Sequence, residues 1–194
     1  MRQVGAILTE SLDVKRALVA DTQLHAEIDN AAALMTESFR EGGKSLFCGN
    51  GGSAADAQHF AAELSGRFLF DRDPLPAEAL HGNTSFVTAV ANDYDYESVF
   101  ERAVRASGRP GDVLIGLSTS GTSRNVVRAM AAAKGIGMGT IAMTGSTPGP
   151  MADLATVWLP MPSAVTGRIQ EAHIAVIHAI SEIVEADLFG ASHG

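Results

Sequence analysis

A chain of 194 residues, 46% hydrophobic and 19% charged, can close one sizeable core and is too apolar to be disordered. Its net charge of −8 argues against a nucleic-acid partner, which needs a basic face, and no apolar run is long enough to suggest a membrane partner. The single cysteine, Cys48, leaves no internal disulfide, and no signal-peptide pattern opens the chain, so a cytoplasmic setting is expected.

A helical segment over about residues 8–40 comes first, with Leu12, Val19, Ile28 and Leu34 among its apolar positions. It is polar enough for a surface and long enough to pack against another subunit. From about residue 44 to 190 strands and helices alternate. The strands expected are Ser45–Cys48, Phe86–Val90, Val113–Leu117, Thr140–Met143 and Thr156–Leu159. The helices expected are Ser53–Leu64, Glu97–Ser107, Ser123–Lys134 and Ile169–Leu188. Apolar, β-branched strands in this alternation predict a single α/β domain, its parallel five-stranded sheet covered on both faces. Neither an internal repeat nor a linker divides it. Asp71–Pro76 reads as a surface turn and Ala191–Gly194 as a frayed tail.

Parallel sheets bind ligands beyond the carboxyl ends of their strands, and two such ends carry glycine- and serine-rich loops. After the first strand come Gly49-Asn50-Gly51-Gly52-Ser53, which bare backbone N–H groups at a positive helix end. Ser53, with Asp56 three residues on, suggests a capping box. The loop could also be an ordinary βα turn; it lacks the third glycine of a dinucleotide fingerprint and the Lys-Ser/Thr of a Walker loop. After the third strand, Ser118-Thr119-Ser120-Gly121-Thr122-Ser123 offers five hydroxyls ahead of another helix, more than capping alone requires.

Titratable side chains cluster on two helices. His59 and Glu63, four residues apart, share a helix face as a metal pair, an acid/base pair or an ordinary surface pair. Arg168-Ile169-Gln170-Glu171 opens the last helix, which carries His173 and His178. Arg67 and Arg168 are either cations near a site or solvated. Cys48 reads as a small buried hydrophobe; His25, His81 and His193 read as structural, and Tyr94 and Tyr96 flank Asp95 without a clear motif.

Together the Gly49–Leu64 segment, the Ser118–Gly121 loop and the Arg168–Glu171 helix with His178 resemble the phosphoheptose isomerases, enzymes of the sugar-isomerase (SIS) fold. The resemblance covers nearly the whole chain, from the first helix to Phe189. It implies conversion of D-sedoheptulose 7-phosphate to D-glycero-D-manno-heptose 7-phosphate through an enediol, with Glu63 as proton shuttle and His178 as acid/base. It places zinc between His59, Glu63, Gln170 and His178, and implies a homotetramer. It gives Ser118, Thr119, Ser120 and Ser123 to the substrate phosphate, and Asn50, Gly51, Gly52, Ser53, Glu63, Asn92, Asp93 and Gln170 to substrate binding. Eight residues of straight helix separate Gln170 from His178 by about 12 Å, so either Gln170 reaches inward from the helix start or the metal sits loosely. Two other readings of the fold are a non-catalytic scaffold resembling the DnaA initiator-associating factor and an isomerase for another phosphosugar. One departure stands out: Ser163-Ala164-Val165-Thr166-Gly167 lacks the acidic residue that members usually carry before Arg-Ile-Gln-Glu.

Overall fold

In the computed structural model, which describes residues 3–190, two helices precede the sheet: α1 (Val4–Ala20) and α2 (Thr22–Arg40). His193 and the expected Ala191–Gly194 tail lie outside the described residues. The expected single helical stretch is broken at Asp21, whose carboxylate accepts from the N–H groups of Gln23 and Leu24 and so caps α2. The remaining elements, in order, are β1 (Ser45–Cys48), α3 (Gly52–Ser65), β2 (Ala77–Ala79), α4 (Thr84–Asp93), a 3₁₀ turn (Tyr96–Ser98), α5 (Val99–Ser107), β3 (Val113–Ser118), α6 (Arg124–Ile136), β4 (Gly139–Thr144), α7 (Pro150–Leu154), β5 (Val157–Pro160) and α8 (Thr166–Phe189).

All five strands pair in parallel, in the order β2-β1-β3-β4-β5. Side-chain alternation along the strands feeds two cores. Phe47, Ile115, Leu117, Ile141 and Met143 pack under α2, α3 and α8; Leu46, Cys48, Leu114 and Ala142 pack under α4, α5 and α6. At Gly116 a Cβ would come within 2.8 Å of Val126, so the glycine lets α6 lie close on β3.

The strand expected over Phe86–Val90 is helical. Asn83 caps it by accepting from the N–H of Phe86, and Phe86, Val87, Val90 and Ala91 then fall on one face against the second core. Helical spacing and a cap outweigh the β preference of its Phe and Val residues. The fifth strand is instead Ala77–Ala79, a three-residue edge strand on β1.

This strand order reverses direction between β1 and β3. The chain leaves β1 for β2 on one side and returns to β3 on the other, so a crevice opens where the loops after β1 and β3 diverge. Those are the two glycine- and serine-rich loops.

Candidate active site

The crevice holds a cavity of about 290 Å³ lined by Asn50, Gly52 and Ser53 after β1, by Leu117 and Ser118 at the end of β3 and Thr119, Ser120 and Ser123 beyond it, and by Thr166 and Gln170 of α8. Three segments far apart in sequence thus meet at the amino ends of α3, α6 and α8. Unsatisfied N–H groups and positive helix ends converge there, an environment suited to an anion.

The capping expectations need correction. Gly51, at φ +56°, is the N-cap of α3, and the helix already starts at Gly52, so no Ser53–Asp56 capping box forms. A turn with positive φ requires glycine, and it leaves Ser53 buried inside the first turn. Asp56 is buried too; its Oδ2 has no hydrogen-bond partner, and burial pushes the carboxyl up to about 6, against the opposing pull of His59. In the second loop Ser123 is the N-cap of α6 by position, but its hydroxyl makes no cap bond. It turns to Ser118 instead, with their Oγ atoms 2.8 Å apart, while Ser120 Oγ lies 3.3 Å from Ser118 Oγ and 3.0 Å from Thr122 Oγ1. These hydroxyls form one connected array that can reorient toward a ligand.

The two arginine candidates lie outside this array. Arg168 is paired with Glu171 at 2.8 Å, and Arg67 is exposed, donating to its neighbour's carbonyl. The cavity therefore offers an anion N–H and O–H groups rather than a cation.

Gln170 lies with its amide against Gly52, so close that any Cβ on Gly52 would collide with it. From there α3 and α8 run side by side in the same direction, and further along them the titratable cluster forms. His59 Nε2 lies 2.8 Å from Glu63 Oε1 and 3.2 Å from His178 Nε2, and the donor atoms of all three fall within 4.8 Å of one another. Phe68 stacks beside His178 at 5.5 Å. One proton on His59 Nε2 cannot satisfy both neighbours at full strength. The cluster thus holds more converging lone pairs than protons, an arrangement suited to a cation with nitrogen and oxygen ligands.

Asn92 and Asp93 close α4, exposed and bonded to each other at 2.9 Å, and neither lines the cavity. His25 bonds the Leu18 carbonyl at 2.8 Å, His81 packs edge-on against Phe100, and His173 is fully buried beside Thr144. Sequence reasoning gave Asn125 and Tyr96 no place in the site. Thr166 lines the cavity; Asn125 and Tyr96 both hydrogen-bond Asn50. An asparagine inside a helical first turn, where it is a poor helix former, was the available signal for Asn125.

Residues 12–145 match the SIS domain family, the class that this sheet order and its two crevice loops define. The chain is 50% identical to the phosphoheptose isomerase of Mycobacterium tuberculosis over 188 residues, 97% of this chain and 96% of that protein. Against the phosphoheptose isomerase of a Roseiflexus species the identity is 53%, covering 92% and 90% of the two chains. The solved structure of phosphoheptose isomerase GmhA from Neisseria gonorrhoeae superimposes with a TM-score of 0.88 at 45% identity, covering 94% of this chain and 97% of that one. The chain belongs to the phosphoheptose isomerase family of SIS-domain proteins.

Proposed function

We propose that the protein is an aldose–ketose isomerase that converts D-sedoheptulose 7-phosphate to D-glycero-D-manno-heptose 7-phosphate. The observation that carries this reading is the division of labour along α3 and α8: a hydroxyl-lined anion cavity at their amino ends, and His59, Glu63 and His178 further along the same two helices. Such a site suits an elongated substrate with a phosphate at one end and reacting carbons at the other.

Moving a carbonyl from C2 to C1 requires a proton to leave C1 and return to C2. Glu63, held on a helix and half-buried, takes that proton and delivers it across the enediol. His178 moves the oxygen-bound proton from O1 to O2, and His59 orients Glu63 through their 2.8 Å contact. The phosphate, remote from the reaction, anchors the sugar so that C1 and C2 stay within reach of Glu63. The ligand set proposed for zinc is His59, Glu63 and His178, with Gln170 as a fourth donor by family resemblance. When bound there, zinc would polarise the carbonyl and stabilise charge developing on oxygen.

The assembly proposed with this activity is a homotetramer. Supporting it, α1 has no buried residue, and Val4, Ile7, Leu8, Leu12 and Val19 stand exposed along it. No helix among the described residues is long and apolar enough to cross a membrane. Turnover of sedoheptulose 7-phosphate, measured with and without chelator, tests the reading. Absence of turnover in the metal-replete protein would overturn it and leave the two alternatives, a non-catalytic scaffold or an isomerase for another phosphosugar.

A further inference from the structure

We infer that Asn125 and Tyr96 are positioning residues that lock the Asn50 amide into one orientation, so that Asn50 can only donate to a substrate oxygen. The inference rests on the phosphosugar reading above.

Its starting point is the first turn of α6. The Val126 N–H donates to Asn125 Oδ1 at 3.0 Å, which fixes the oxygen end of that buried amide. With Asn125 fixed, its Nδ2 donates to Asn50 Oδ1 at 2.8 Å, and its Oδ1 accepts from Asn50 Nδ2 at 2.9 Å. Two amides joined by two antiparallel bonds leave no freedom to flip, since a flip would set nitrogen against nitrogen and oxygen against oxygen. The Tyr96 hydroxyl then donates to the same Asn50 Oδ1 at 3.0 Å. Tyr96 is aimed by its own turn: Asp95 accepts from both the N–H and the hydroxyl of Ser98, fixing the 3₁₀ segment that Tyr96 opens. The Tyr94-Asp95-Tyr96 stretch, without a motif in sequence, acquires a role here.

A count of valences gives the consequence. Asn50 Oδ1 has two lone pairs and both are used; Nδ2 has two protons and one is used. What Asn50 offers the cavity is a single N–H. The hydroxyls around it, Ser118, Ser120 and Ser123, can rotate and serve either role, so Asn50 is a fixed donor in an adaptable array. It selects an oxygen acceptor, on the phosphate or on the sugar, and disfavours a donor in that place.

The test uses Tyr96→Phe, a change at a half-exposed ring that removes one hydroxyl, and Asn125→Ala, which removes the amide pair. Steady-state kinetics with sedoheptulose 7-phosphate run beside direct titration of inorganic phosphate into each protein. Tyr96→Phe should raise KM about threefold to tenfold, with kcat and melting temperature nearly unchanged, as expected for one lost orienting hydrogen bond. Asn125→Ala should raise KM further. If phosphate binding weakens in step, the oxygen is on the phosphate; if only KM rises, it is on the sugar, and both results support the inference. Unchanged KM in both folded variants, or a fall in kcat at constant KM, overturns it. If Asn125→Ala fails to fold, Tyr96→Phe alone decides between these outcomes. Should the wild type not turn over sedoheptulose 7-phosphate, the proposed function falls. Phosphate titration of the variants then decides the inference alone, weaker binding supporting it and unchanged binding overturning it.

Discussion

Arg72 and Glu185 form an ion pair at 2.9 Å with only 1% of either side chain exposed. Burial alone would raise the Glu185 carboxyl pKa, but the N–H groups of Phe68 and Leu69 and the Arg72 guanidinium outweigh it and hold the group below the usual carboxylate range. Arg72 in turn donates to the carbonyls of Glu63 and Leu64. The pair therefore binds the end of α3 that carries His59 and Glu63 to the helix that carries His178.

Removing one partner would strand a buried charge. Arg72→Ala should cost about 3–5 kcal/mol in denaturant unfolding. The double variant Arg72→Met with Glu185→Leu should cost less than Arg72→Met alone, because no unpaired charge is left. Equal costs for the single and double variants would show that the pair contributes packing rather than charge compensation.

Glu63→Gln should lower turnover by about 10²–10⁴-fold while phosphosugar binding survives, because the amide keeps the shape but cannot accept a carbon-bound proton. His178→Gln should be similarly slow and should also release metal more readily. Isothermal titration with sedoheptulose 7-phosphate separates binding from turnover. Near-normal turnover in Glu63→Gln would move the base elsewhere.

The central sheet was legible because β1, β3 and β4 are mostly apolar and almost wholly buried, as strands covered on both faces must be. The edge was not. Ala77–Ala79 is too short and too plain to read as a strand, whereas Phe86-Val87-Thr88-Ala89-Val90 has β-favouring residues that a cap and one-sided packing turn into a helix. At the site, loop composition and the i,i+4 spacing of His59 and Glu63 are local signals and were visible. Ser53 does not cap because the turn with positive φ at Gly51 sets the cap two residues earlier. Family resemblance, not spacing, had nominated His178; its meeting with His59 depends on how α3 and α8 pack. Asn125 and Tyr96 reach Asn50 across the crevice, and no spacing in the chain encodes that contact.

Two buried groups give stability opposite pH dependences. Burial lowers His173 from 6.5 to about 4, although its bond to the Thr144 carbonyl opposes this. Between those values the unfolded chain binds a proton that the folded one does not, so His173 makes stability fall as pH drops. Asp56 is raised from 3.8 to about 6, so its contribution is present at low pH and lost as pH rises through 6. Each effect is worth about 3 kcal/mol across its window, and near pH 5 they largely cancel. In metal-stripped protein, His173→Gln should therefore become more stable as pH falls from 6 to 4, and Asp56→Asn less stable. Thermal melts across that range check both signs. Parallel profiles for the two variants would show that neither group controls the response.

The last expectation concerns the start of α8. Val165 is its N-cap, with extended backbone angles suited to a capping residue but a side chain that cannot cap. That side chain is 58% exposed, next to Thr166, which lines the cavity. Val165→Asp would make two changes at once. As an N-cap it should stabilise the fold by about 0.5–2 kcal/mol, with the carboxylate also favoured by the positive helix end. Beside the cavity it should lower KM for sedoheptulose 7-phosphate by accepting from a sugar hydroxyl, whereas a carboxylate facing the phosphate would raise KM. Val165→Ser separates the two, since serine caps about as well but carries no charge. Stabilisation by both variants with a lower KM only for Val165→Asp would place a sugar hydroxyl within reach of position 165. Stabilisation by both with no change in KM would mean that the exposed side chain faces solvent, and that sugar recognition at this end of the site falls to Thr166.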